Sequence, residues 1–229
     1  MSNVQQTDEN VHAHHARPLV EWGLLTGGAL FFIGGSMHPG EDPPGLSTLE
    51  HLRLMFLDPS WYPSHALLLV GMVLIAASLF GLVRSRSLAA VPRAQMVGAV
   101  AAIAAALATL AMLLHMAAAS EADKIAAGQG APLTNVQNVT ETLTAPAFGF
   151  SIAALALVGA STRTLGNWVI AALGLVGGLS YGLAGGTAFF TDRLNFLFPA
   201  SSGIGLWAIA AGIALFLRSR AADRGARAA

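Results

Sequence analysis

Residues 97–114 read VGAVAAIAAALATLAMLL. None of these side chains is charged, and the apolar character runs around every face of a helix instead of along one stripe. A helix of that kind needs an apolar solvent on all sides. At 1.5 Å rise per residue, about twenty such residues cross a hydrocarbon core of about 30 Å.

Five other stretches share this character, so the spans lie near 19–37, 63–83, 95–117, 144–161, 166–190 and 200–217. Only 10% of the 229 residues are charged, 55% are hydrophobic, and the mean hydropathy is +0.62. Soluble domains carry roughly 25% charged residues, so lipid is the solvent for most of this chain. Alternating strand patterns of an outer-membrane barrel are absent. The class is an all-α, polytopic membrane helix bundle with six transmembrane helices.

Charge distribution orients the bundle. With both termini cytoplasmic, Arg17, Arg84, Arg86, Arg93, Arg163, Arg218, Arg220, Arg224 and Arg227 lie inside, and only Arg53, Lys124 and Arg193 lie outside. The organisation expected is a mobile cytoplasmic tail over 1–18, one six-helix domain over 19–217 and a basic cytoplasmic tail over 218–229. The first apolar segment lacks a small-residue cleavage site and reads as a retained span. Arginine as nearly the sole base, with abundant alanine, hints at a high-GC bacterium, which places the chain in a bacterial plasma (inner) membrane.

The first outer loop carries a turn-rich breaker, Pro39 to Gly45, followed by Ser47-Thr48-Leu49-Glu50, the spacing of a capping box. Leu49, Leu52 and Phe56, with Leu57 on the flank, recur at helical spacing, which predicts a short helix in the membrane interface. Asp58-Pro59 ends it, and Trp61-Tyr62 mark the headgroup level. The second outer loop breaks at Gly128-Gln129-Gly130, and Val136, Val139 and Leu143 predict a fourth helix that starts well before the bilayer, with Pro146 as a site for a kink.

Gly174, Gly178, Gly182 and Gly186 align on one face of the fifth span. Such a face admits close approach of another helix, either within the chain or from a second copy in a homo-oligomer. The pairs Gly27/Gly34, Gly28/Gly35 and Gly205/Gly212 offer partners.

Against this apolar background the histidines stand out. His38 ends the first span, His65 opens the second and His115 lies near the end of the third, so an up-down-up path brings three imidazoles to one depth on the outer side. Glu141 on the fourth helix has a compatible height. The expected metal set is His38, His65, His115 and Glu141, and His65 and His115 are the expected cofactor-binding pair should the group be haem b. Imidazole suits zinc, copper and iron, and three ligands plus an open position make a catalytic zinc site. Ala104, Ala105, Ala108 and Ala111 beneath His115 offer room for a porphyrin. Met37, Met112 and Met116 add thioethers suited to copper(I), although only Met112 shares a face with His115. His51 reads as a solvated neighbour on the interfacial helix, and the His12, His14, His15 run as part of the tail.

With no cysteine, thiolate metal sites, iron-sulfur clusters, disulfides and thiol nucleophiles are excluded. No phosphate-binding glycine loop, nucleophile elbow or basic groove for nucleic acid is present, and no acid or base lies in mid-span. Two functions remain. One is redox or metal-assisted chemistry on a lipid-soluble substrate; the other is a non-enzymatic partner subunit or small-solute channel whose histidines sense pH. The lipid bilayer is the partner common to both.

Overall fold

Every apolar stretch closes its backbone hydrogen bonds internally, as a chain in hydrocarbon must. The computed structural model describes residues 3–39, 45–191 and 193–228, without the side chains of 3–17, 48 and 226–228. The histidines at 12, 14 and 15 and the acids at 41, 42 and 192 lie outside what is described. All regular structure among the described residues is helical: α1 (Asn3–Ser36), α2 (Thr48–Leu57), α3 (Trp61–Arg84), α4 (Pro92–Ala118), α5 (Ala122–Ala126), α6 (Pro132–Ser161), α7 (Trp168–Thr187), α8 (Phe198–Ser201) and α9 (Gly203–Ala228). Six stretches, within or including α1, α3, α4, α6, α7 and α9, are long and apolar enough to cross a membrane.

These six helices form a closed ring. Each packs on its neighbours in the order α1, α3, α4, α6, α7, α9, and α9 returns to α1. Phe31, Phe148 and Tyr181 meet edge to face inside it, with Phe31 6.4 Å and Phe148 5.7 Å from the Tyr181 ring.

Helix α4 shows what drives the packing. Its Ala101, Ala104, Ala105, Ala108 and Ala111 are buried, while Val100, Ile103, Leu107, Leu110 and Leu113 are exposed. Large apolar residues face outward because lipid solvates them as well as protein does, and small ones face inward because they let backbones approach. The same rule governs Gly71 of α3: a Cβ there would stand 2.7 Å from the Phe31 backbone nitrogen and 2.8 Å from the Gly27 carbonyl oxygen of α1. The glycine face of α7 lies against α6, with Gly178 at Gly149, Gly182 at Phe150 and Gly186 at Pro146. Gly174 meets Ala156 of α6 and Trp207 of α9.

The predicted helix after the first loop is present as α2, with the capping box formed: Glu50 N–H donates to Ser47 Oγ at 3.3 Å, and Ser47 N–H to Glu50 Oε2 at 3.0 Å. Its packing face is narrower than the spacing implied. Leu52 and Phe56 are buried, whereas Leu49 and Leu57 are about half exposed. The break at Gly128 also stands, with φ at +65° between α5 and α6.

Helix α6 begins at Pro132, as expected of an early start, but Val136, Val139 and Leu143 face outward. The opposite stripe, Thr134, Gln137, Glu141, Ala145 and Phe148, turns towards the bundle, and all of it except the half-buried Glu141 is buried. Its N-terminus is held by Glu121, a buried carboxylate whose Oε2 accepts from Thr134 N–H at 2.9 Å and Thr134 Oγ1 at 3.2 Å. A carboxylate at that place satisfies an otherwise unpaired amide and opposes the positive end of the helix.

Candidate metal centre

Four helices deliver polar groups to one end of the ring. α1 runs into a turn that carries His38, α3 opens with His65 in its first turns, and α4 brings His115 near its end. His38, His65 and His115 each offer a ring nitrogen, and these three atoms all lie within 4.8 Å of one another. Ring centroids are 4.8 Å apart for His38 and His65, and 5.0 Å for His65 and His115. His65 and His115 are buried; His38 is part-buried at the rim.

Local bonds select the ring nitrogen left free to bind. His65 Nδ1 donates to the Trp61 carbonyl oxygen one turn earlier at 2.7 Å, and His38 Nδ1 donates to the Pro39 carbonyl at 2.7 Å. Both rings therefore keep Nε2 as the lone-pair nitrogen. On His65 this atom is buried with no hydrogen-bond partner. A buried acceptor left unpaired costs about 1–3 kcal/mol, a cost that a cation bound there would offset.

His115 is held from the other side. Its Nδ1 lies 3.3 Å from Glu141 Oε2 and 2.6 Å from Gln137 Nε2, and Gln137 also donates to Glu141. Two hydrogen-bond patterns fit these groups. Nδ1 either accepts from the Gln137 amide or donates its own proton to the Glu141 carboxylate. Only the second leaves Nε2 of His115 free for a ligand, and a carboxylate behind a metal-binding imidazole is the usual way to orient it.

Trp61 is fully buried at the centre of this constellation. Its ring lies 3.7 Å from that of His65, 4.8 Å from His115 and 6.0 Å from His38. Phe56 of α2 packs on it at 4.9 Å, and Leu52, Ala118, Ala119 and Ala122 complete a small roof core. Trp61 opens the second span, as expected, but faces the interior of the bundle, while its neighbour Tyr62 is 53% exposed. Sequence reasoning also missed Gln137 and Glu121: the stripe 134, 137, 141 has helical spacing, but the sequence does not tell it from the outward stripe 136, 139, 143.

The remaining expectations divide. His51 is half-buried and near enough for its charge to act on His38, yet it is outside the group of three. Burial and the neighbouring His115 hold the His38 ring below its usual range, which favours the neutral, ligand-competent form. Ala104, Ala105, Ala108 and Ala111 are buried, three of them in one core with Met72, Ile75, Ile152 and Leu155, so neighbouring helices pack against that face. Met112 packs against the same core, and Met37 is 42% exposed.

No known family model, no curated protein and no solved structure matches this chain.

Proposed function

We propose that this six-helix membrane protein holds one transition-metal ion on His38, His65 and His115, with Glu141 as the carboxylate behind His115. The observation that carries this reading is the convergence of three imidazoles from three helices with their ring nitrogens within 4.8 Å. Tetrahedral ligation at about 2.0–2.1 Å per bond puts ligand nitrogens about 3.3 Å apart. The three ring nitrogens need to close by about 1.5 Å at most to reach that geometry. Three neutral nitrogens leave one position for water or a substrate oxygen, the donor set of catalytic zinc and one shared with copper and iron.

A bare ion is favoured over haem b. Trp61 packs on both His65 and His115, and the alanine face beneath His115 is buried in the helix core. The arginine bias supports cytoplasmic termini, so the site opens to the exoplasmic side of a bacterial plasma membrane. Exposed Leu49, Leu54 and Leu57 on α2 support its lying in the interface above the site. A substrate that reaches such a site from the bilayer is lipid-soluble, and the chemistry is metal-assisted or redox.

Metal analysis of protein purified without chelators from metal-replete cells tests this. About one zinc, copper or iron per chain is expected, with loss in His65→Ala and His115→Ala. A preparation that is metal-free and takes up none of the three on titration would overturn the reading. A Soret band lost in the same variants would replace the ion by haem.

A further inference from the structure

At the end of the ring opposite the histidines, a cavity of about 610 Å³ opens between α6, α7 and α9. Arg163 and Arg218 line it together with Asn167, Trp168, Ala160 and Ala214. Both arginines also border an adjoining cavity of about 360 Å³ that reaches Glu21 of α1. The larger cavity has no acidic residue in its wall.

Among the described residues neither arginine forms an ion pair. Arg218 Nη1 donates to the carbonyl oxygens of Arg163 at 2.6 Å and Thr164 at 2.7 Å, which pins the guanidinium at the end of α6. An arginine has five N–H donors, so its other nitrogens still have capacity. Among the described residues Arg163 forms no ion pair or side-chain hydrogen bond, and it sits at φ 58° in the turn after α6. Asn167 is no competing anion, and its oxygen is already engaged with the amides of Val169 and Ile170.

The rest of the wall is apolar and continuous with the outer surface of the bundle. Trp168 is 63% exposed and Val169 is 74% exposed at the first turn of α7. A ligand that matches must combine an anionic head for two guanidiniums with a chain that lies along Ala160, Ala214 and the Trp168 ring. A soluble phosphate matches only the first half.

We propose that this cavity is a binding site for an anionic phospholipid, with the headgroup phosphate between Arg163 and Arg218 and an acyl chain along α6, α7 and α9. A basic side chain held against an anionic headgroup contributes about fivefold in affinity, and only the arginines in the cavity wall are placed to do so for this lipid. The site is independent of the metal centre.

Native mass spectrometry of the full chain, titrated with phosphatidylglycerol or phosphatidylcholine, reads the proposal directly. Wild type is expected to retain phosphatidylglycerol preferentially. Arg163→Asn, which removes the charge and tolerates the left-handed turn, should lower retention about fivefold, and Arg163→Lys should recover most of it. Arg84→Gln, at an exposed position of α3 at the same end of the ring but outside the cavity wall, should change it less than twofold. Equal retention of the two lipids overturns the proposal, as does an Arg163→Asn variant that binds like wild type. Full displacement of the lipid by millimolar inorganic phosphate assigns the cavity to a soluble anion and overturns it also.

Discussion

Trp61 gives its backbone carbonyl to His65 Nδ1 at 2.7 Å while its indole stacks 3.7 Å from the same imidazole. One residue thus sets both the tautomer of the ring, through a main-chain acceptor, and its orientation, through packing. The helix spacing of four makes the two contacts compatible, since residues i and i+4 lie one above the other.

In the proposed centre Glu141, 3.3 Å from His115 Nδ1, acts through the ring and not on the ion. Glu141→Gln should therefore weaken metal affinity about 10–100-fold while leaving about one ion per chain at saturation. Competition against a chromophoric chelator measures this. A loss of stoichiometry as complete as in His115→Ala would put Glu141 on the metal instead.

The roof helix α2 is tied at both ends by carboxylates. The Ser47 hydroxyl and amide hold Glu50 below its usual 4.5, and the Ser60 hydroxyl and amide hold Asp58 below its usual 3.8. A depressed carboxyl binds fewer protons folded than unfolded, so its contribution is complete above the unfolded value and disappears as pH falls through the folded one. Hydrogen-exchange protection of the α2 amides should fall from about pH 4.5 downward. Ser47→Ala should lower protection at neutral pH and flatten that profile; an unchanged profile would show the cap to be irrelevant.

Glu121 positions α6, and through it Gln137 and Glu141. Glu121→Ala leaves Thr134 N–H and Oγ1 without their acceptor. The expected cost is a melting temperature lower by about 2–4 °C, together with weaker metal binding. Thermal melts in detergent, with and without metal, separate the two effects, and an unaltered melt would count against the cap.

At the α1 and α3 crossing, Gly71→Val would insert side-chain atoms against the Phe31 nitrogen and the Gly27 carbonyl oxygen. Backbone cannot yield as a side chain does, so the helices must part, at a cost of about 1–3 kcal/mol. His38 then moves away from His65, and metal affinity should fall with stability. Chelator titration and denaturation of the same sample check both; a stable variant with normal metal affinity would contradict the close crossing.

Much of the fold was legible because lipid imposes so simple a rule on sequence. Uncharged runs such as 97–114 could be nothing but spans, and Ser47 with Glu50 announced α2. The three histidines were legible through depth alone, since residues at the same end of consecutive antiparallel helices share a height. Azimuth was not legible. Nothing in 134–143 told which stripe faces inward, because Val136, Val139 and Leu143 look like a core face in water and are an outer face here. Trp61 was hidden for the same reason: an indole at a helix start serves an interface and an interior equally well, and only the descent of α2 over it decides.

Every imidazole of the cluster, and the carboxylate behind it, comes from the first four spans, while α7 and α9 contribute none. The seam between α1 and α9, where Gly28 meets Gly205, joins the first span to the last. The proposed donor set is therefore complete in chain order before α7 and α9, whose part is to close the ring.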